Sequence, residues 1–299
     1  MSVVGVLFIG ILAVYVSSFG SGFMEDDYLL LKGNVRLDSS AVVFRPFLNG
    51  LFGLEYFLFG HNADGFRWVN IILFTGACSS IYFFMVQVFK NNLLAVLTAL
   101  FVALHPINQN MVLAFSTAYV SLQVMFTLGA IYWGGYKDFS FKNVSIALLF
   151  FILALLCHET AMLIPFYIFS FMLIARKDSW KKALGMSFVF FLFLAAYLVF
   201  RLTGTKVGTH ILENVNTVPV DSLQYAATFI RLVHWYLSNL FIPDGVVVIW
   251  SSKLVAQGLW FWLMAGLLWF SIGVYCFWRS ARLPVVRLGL LWLVVGFFP

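Results

Sequence analysis

Charge is scarce in this chain. Asp, Glu, Lys and Arg make up 10% of its 299 residues, hydrophobic residues make up 63%, and the mean hydropathy is +0.97. A soluble globular domain carries about 25% charged residues. With so few, a chain of this size cannot cover its apolar surface with polar groups, so a soluble globule is excluded and lipid has to solvate most of it. Cysteine is also scarce. Cys78, Cys157 and Cys276 fall in or at the ends of apolar runs and read as small packing residues, not as a disulfide framework or a metal set. A Gly-rich phosphate loop is lacking, which leaves no case for cytoplasmic nucleotide hydrolysis. Metal-ligand spacing beyond chance is lacking too, so no metal cofactor is expected. The net charge of +6 is spread along the chain, so a nucleic-acid partner is not expected either.

Long apolar runs are abundant. They lie at 3–19, 67–89, 93–107, 111–133, 143–157, 160–175, 182–202, 257–278 and 286–299. A helical span needs about 20 such residues, so the expectation is an all-α, polytopic transmembrane bundle with about nine crossings in a single domain, 1–299. The first run lacks a Lys/Arg-rich start and reads as an uncleaved helix. The last run is still apolar at Pro299, which leaves room for further chain. Two stretches break the pattern, a loop at 20–66 and a loop at 203–256. Each holds a segment that reads as a helix lying in the membrane interface, Phe47 to Phe59 and residues 222–242. Arg231 and His234 near the middle of the second argue against a tenth crossing.

Charge sets the expected orientation. Alternating the sides puts ten Lys and Arg with two acids on one face, a balance of +8, and eight Lys and Arg with ten acids on the other, a balance of −2. The basic face is cytoplasmic by the positive-inside rule. The N-terminus is then cytoplasmic, and both long loops lie on the outer or luminal side with most of the acids.

Several outer-side residues carry possible chemistry. Glu25-Asp26-Asp27 follows the first helix. Three adjacent carboxylates beside an apolar phase repel one another and resist ionisation, which fits acid/base work or a cation. A solvated helix cap ahead of Tyr28-Leu29-Leu30-Leu31 explains the tripeptide as well. Arg45, before Pro46, either snorkels to lipid phosphates or holds a specific phosphate through paired N–H donors. His105-Pro106 ends the third run. His158-Glu159 sits in a turn between two apolar runs, where an acid calls for a partner. Arg231 and His234, three apart, share a helix face, with Tyr236 beside them.

Taken in order, these motifs form a pattern. Phe23-x-x-Asp26-Asp27 follows the first helix, and Arg45-Pro46 opens a short helix ending in Phe59-Gly60. Arg67-x-x-Asn70 opens the second span. His105-Pro106-Ile107 and His158-Glu159-Thr160-Ala161 with Pro165 come next, then Arg231 with Tyr236, Leu240 and Pro243, and finally Trp292 and Pro299. From Phe23 to Pro299 this resembles the GT-C superfamily of membrane glycosyltransferases. Within it, the likeness is to the protein O-mannosyltransferases and their transmembrane-and-tetratricopeptide relatives. Two positions depart from those relatives: His158-Glu159 stands where they usually show Lys-Glu, and Gln109-Asn110 stands where they often carry a Glu.

The resemblance implies transfer of a mannose-like hexose from a polyprenyl-phosphate donor, such as dolichyl phosphate mannose, to a protein or glycan hydroxyl at the outer or luminal face, with inversion. It implies that Asp26 is the catalytic carboxylate with Asp27 as its neighbour. Arg45 and Arg231 would face the donor phosphate, and His105, His158, Glu159 and Tyr236 would shape the pocket or bind the acceptor. The rival class is a transporter or flippase of lipid-linked or anionic substrates, which needs polar groups along a path through the bilayer. The span interiors hold few, Gln87 and Gln123 among them, and the two halves show no repeat.

Overall fold

A computed structural model describes residues 2–24, 27–28, 31, 45–204, 222–243 and 258–296. The structure is all-helical, with no strand among the described residues. The chain divides into two compact units, Met1–Leu212 and Glu213–Pro299.

In the first unit, local sequence explains most helix ends. Helix α1 (Val3–Tyr15) starts at Ser2, whose hydroxyl accepts the Gly5 N–H at 3.2 Å. Helix α2 (Pro46–Phe59) has proline at its first position, where no N–H is needed, and stops at Gly60 with φ +57°. Asn62 caps helix α3 (Ala63–Phe89) by accepting the Asp64 N–H at 3.0 Å, and Asn91 caps helix α4 (Asn92–Leu104) by accepting that of Leu94 at 2.9 Å. Short turns at Pro106–Asn108, Asn110–Leu113 and Phe115–Thr117 lead to helix α5 (Ala118–Ile131), which runs into a π-turn at Tyr132–Tyr136. Helices α6 (Phe141–Cys157), α7 (Ile164–Ile174) and α8 (Trp180–Gly204) complete the unit.

Helix α3 is central. It packs against α1, α4 and α5, while α5 also packs on α6 and α7, and α7 on α8. Ala95, Ala99 and Ala103 recur every fourth residue on α4 and are fully buried, which lets helices approach closely without bulky side chains. Gly129 serves the α5–α6 contact in the same way, since a Cβ there would lie 2.9 Å from the Phe150 ring. Short helix α2 packs on α3 and α6 through Leu48 and Phe52, which join Phe66, Phe115, Ala118, Leu122 and Cys157 in one apolar cluster. At the other end of the unit, the Arg176 guanidinium donates to the carbonyls of Gly135, Tyr136 and Lys137, closing the π-turn, and its Nε lies 2.9 Å from the Asp178 carboxylate.

The second unit holds α9 (Ser222–Phe241), α10 (Leu259–Arg279) and α11 (Pro284–Gly296). Helix α9 packs on α10, tied by a hydrogen bond from Trp269 Nε1 to His234 Nδ1 at 3.0 Å.

The apolar runs of the sequence fall on helices of nearly the expected bounds, but fewer of them than expected are long enough to cross a membrane. Among the described residues, four helical stretches are long and apolar enough to cross a membrane: Ala63–Phe89, Phe115–Tyr136, Trp180–Thr203 and Leu259–Arg282. A fifth is reached if Asn92–Leu104 and Pro106–Leu113, bent by 58°, count as one span. Val3–Ser18, Phe141–Cys157, Glu159–Ile174 and Pro284–Gly296 are shorter apolar helices. At 1.5 Å per residue, a 17-residue helix reaches about 25 Å, short of a hydrocarbon core of about 30 Å. Chain breaks cause the shortfall. Pro106 cannot continue α4, and His158 leaves the helix in an extended conformation at φ −163°, ψ 149°. The run expected at 111–133 divides for the same reason, its first residues falling in the bent segment and the long helix starting after them.

Candidate functional site

Of the acidic tripeptide, Asp27 is described, and Glu25 and Asp26 lie outside the described residues. Asp27 is only 1% exposed. Its carboxylate accepts backbone N–H groups from Met24 at 3.2 Å, Phe115 at 3.4 Å and Ser116 at 3.0 Å. Phe115 and Ser116 begin a helical turn, where unpaired N–H groups favour an anion. Burial pushes the Asp27 carboxyl above its usual range, and these N–H bonds oppose the rise.

Helix α3 supplies the frame. The Arg67 guanidinium, 4% exposed, donates to the carbonyls of Ser21 at 2.6 Å and Gly22 at 2.5 Å and to the Asp64 carboxylate at 2.8 Å. Asp64 in turn accepts the Gly20 N–H at 3.0 Å. One turn further along α3, Asn70 Nδ2 donates to the carbonyls of Val112 at 3.3 Å and Ala114 at 3.1 Å. The two segments that carry Asp27's N–H donors, around Met24 and around Phe115, are thus both fastened to α3. The rings of Phe23, Phe66 and Phe115 pack edge-on or tilted around the same place and, with Asp27, Arg67 and Asn70, line a narrow crevice.

Glu55 is a second buried acid here. On α2 it shares the buried face with Leu48 and Phe52, at the i, i+4, i+7 spacing of one helix side. It is 1% exposed, and neither carboxyl oxygen has a hydrogen-bond partner among the described residues. Burial, with the nearby charge of Asp27, pushes its carboxyl up to about 8, so it is the neutral acid at pH 7.

Arg45 and Glu159, read separately from the sequence, form an ion pair. Arg45 Nη2 and Nε donate to Glu159 Oε2 at 2.8 and 3.2 Å. Arg201, at the end of α8 and 6% exposed, brings a second guanidinium to 3.5 Å from Glu159 Oε1. Burial alone would raise the Glu159 carboxyl, but the hydrogen bonds and charge of Arg45 outweigh it and hold the group below its usual range. His158 stacks flat on Tyr119 with ring centres 4.2 Å apart, and the Arg45 guanidinium lies 5.2 Å from the Tyr119 ring centre. Burial, then the charge of Arg45, pushes the His158 imidazole down to about 4. It is therefore neutral at pH 7; its Nδ1 accepts the Thr160 N–H at 3.2 Å. Among the described residues, two guanidinium groups share this one carboxylate, and Arg45 and Glu159 are partly exposed.

The remaining expected site residues fall elsewhere. His105 is buried at the bend after α4, where its Nδ1 accepts the Ile107 N–H at 3.2 Å, a local cap. Arg231, His234 and Tyr236 belong to the second unit, where His234 ties α9 to α10 through Trp269. Four residues with clear places in the structure were not singled out as site candidates from sequence: Glu55, Arg67, Tyr119 and Arg201. Glu55 leaves a local signal, an acid on the apolar face of a short helix, and Arg67 stands in the Arg67-x-x-Asn70 motif that opens α3.

In comparisons with protein-family models, with curated proteins and with solved structures, nothing matches this chain.

Proposed function

We propose that the chain is a polytopic membrane glycosyltransferase that moves a mannose-like hexose from a polyprenyl-phosphate donor to an acceptor hydroxyl, on protein or glycan. In this reading all nine apolar runs cross or re-enter the membrane, the basic face is cytoplasmic, and transfer takes place at the outer or luminal face. One observation carries it: the buried Asp27 carboxylate and the Arg45–Glu159–Arg201 cluster are built onto a single apolar core. Phe115 and Cys157 both belong to that core; the first gives its N–H to Asp27, and the second immediately precedes His158-Glu159.

The chemistry follows from the charges. The donor's isoprenoid tail partitions into lipid, which leaves its phosphate at the interface. Arg45 and Arg201 meet the phosphate with forked N–H donors. Asp26, ionised, takes the proton from the acceptor hydroxyl while that oxygen bonds to the anomeric carbon. The bond from that carbon to the phosphate oxygen breaks, and polyprenyl phosphate departs with the electron pair, its charge offset by the arginines. A single attack from the face opposite the leaving group inverts the anomeric centre, as in inverting glycosidases. Asp27 has its lone pairs occupied by N–H donors, which suits it to holding the loop that presents Asp26. Those donors also oppose a cation at Asp27, so the reading uses no metal.

A transporter of lipid-linked anions is the second reading, favoured by the 58° break between Asn92–Leu104 and Pro106–Leu113, since broken helices mark transport sites. Incubating purified protein with a labelled polyprenyl-phosphate hexose and an acceptor separates the two. A transferase gives labelled acceptor in detergent, and a transporter gives none.

A further inference from the structure

Helix α5 carries one amide inside its apolar run, Gln123, and a polar residue within a span calls for named partners. With the amide oriented so that both its ends are satisfied, Nε2 donates to the Ala154 carbonyl at 3.3 Å and Oε1 accepts the Ala161 N–H at 2.8 Å. Ala154 lies in the last turn of α6, and Ala161 lies in the helical turn Glu159–Leu163 that follows. One side chain therefore straddles the break at His158-Glu159. Satisfying the backbone does not account for this bridge. The Ala154 carbonyl also accepts the His158 N–H at 3.0 Å, and the Ala161 N–H also reaches the His158 carbonyl at 3.2 Å. What the amide adds is a fixed geometry across the break. Tyr119, four residues earlier and so on the same face of α5, stacks on His158. Helix α8 repeats the pattern: the Tyr197 hydroxyl donates to the Leu155 carbonyl at 3.4 Å, and Arg201, four residues on, meets Glu159. Two helices thus each apply an i, i+4 pair to the turn that carries Glu159.

We propose that Gln123 is a positioning residue: its amide fixes the turn between α6 and α7 so that the Glu159 carboxylate stays between the Arg45 and Arg201 guanidinium groups. The carboxylate is met at 2.8 and 3.2 Å by Arg45 and at 3.5 Å by Arg201. Hydrogen bonds weaken steeply with distance and angle, so a small displacement of the turn loses one arginine or the other. Without the bridge the turn keeps its backbone bonds and gains freedom to shift, and Glu159 shifts with it. The consequence for donor binding rests on the glycosyltransferase reading. The geometry of the Arg45–Glu159–Arg201 cluster does not.

The test is a double-mutant cycle in melting temperature on the full chain in detergent. Arg45→Ala and Glu159→Gln remove the two halves of one contact, so in the wild-type background their combined loss should be smaller than the sum of the separate losses. In a Gln123→Met background the same two substitutions should become additive. Gln123→Glu, as a neutral acid with one O–H donor and one acceptor oxygen, should restore the non-additivity. An amide that merely stabilises the fold lowers every melting temperature alike. Non-additivity undiminished in Gln123→Met would therefore overturn the proposal. So would a folded Gln123→Glu protein that behaves as Gln123→Met does. Failure of both variants to fold would overturn it too, because the amide would then carry the fold and not the ion pair. Binding of polyprenyl phosphate is read separately and should be about tenfold weaker in Gln123→Met, the loss of one charge-assisted hydrogen bond. Equal binding by wild type and Gln123→Met would overturn the proposal as well. A wild type that binds none would sink the donor-site reading alone, since the cycle needs no ligand.

Discussion

Arg67 and Asn70, one turn apart on α3, fasten the two chain segments whose N–H groups meet at Asp27. Arg67 holds Ser21 and Gly22, and Asn70 holds Val112 and Ala114. Removing Arg67 leaves the Asp64 carboxylate and two carbonyls without their main partner. Hydrogen bonds to a charged group are worth about 1.5–3 kcal/mol, so Arg67→Ala should cost about 3 kcal/mol or more of stability, and Arg67→Lys should recover only part. Thermal unfolding in detergent checks this. Asn70→Leu, which keeps the volume, should show a smaller loss.

The Arg45 cluster predicts donor affinity. Arg45→Ala and Arg201→Ala should each weaken binding of polyprenyl phosphate about 10- to 100-fold, the range expected for loss of charge-assisted hydrogen bonds. Glu159→Gln removes the negative charge between the two guanidinium groups and frees Arg45 donors, so it should tighten phosphate binding while lowering stability. Binding measured by displacement of a fluorescent polyprenyl phosphate distinguishes these outcomes. Affinity unchanged in both arginine variants would remove the phosphate assignment.

Acid should loosen the same cluster. His158 ionises near 4 when folded and near its ordinary 6.5 when unfolded, so between those values the unfolded chain binds more protons. Stability contributed by neutral His158 is full above about 6.5 and is lost as pH falls towards 4, amounting to at most about 3 kcal/mol. Glu159, held below its ordinary value, adds a loss of the same sign as pH falls. His158→Phe keeps the stack on Tyr119 and removes the titration, so its melting temperature should fall less between pH of about 7 and about 5.

Orientation has its own test. A cysteine at His61 should react with a membrane-impermeant reagent added from outside, and one at Lys142 or Lys181 should not. Position 61 is preferable to Asn62, whose side chain caps α3. The three native cysteines are replaced first. Reaction of the Lys181 site from outside would reverse the orientation and move the acidic loop to the cytoplasm.

Helices with a strong local signature were legible in the sequence: Pro46 and Gly60 bracket α2, and the apolar runs mark most of the rest, whereas the Asn62 and Asn91 caps are seen only in the structure. Crossing number was less legible, because hydropathy does not show how long a helix stays unbroken. The breaks at His158 and after His105 were legible as gaps between runs, but not that they leave helices of 17 residues or fewer. The candidate site was legible only in part. Arg45 and Glu159 each stood out as charges without partners, but their pairing spans 114 positions, and no periodicity connects them. Arg201 read as an ordinary charge near a span end. His105 and His234 stood out among the outer-side polar residues, and each is engaged in a structural bond that depends on a neighbouring turn or helix.

The account stands most directly on Asp26. Purified full-length protein, supplied with a labelled polyprenyl-phosphate hexose and an acceptor hydroxyl, should transfer label in the wild type. Asp26→Asn should fold and melt like the wild type, yet transfer at least about 100-fold more slowly, the lower range of general-base catalysis. Asp27→Asn should melt lower, because an amide N–H would face the donors of Met24, Phe115 and Ser116. A folded Asp26→Asn protein that transfers sugar at the wild-type rate, or a wild type that transfers none, would contradict the account.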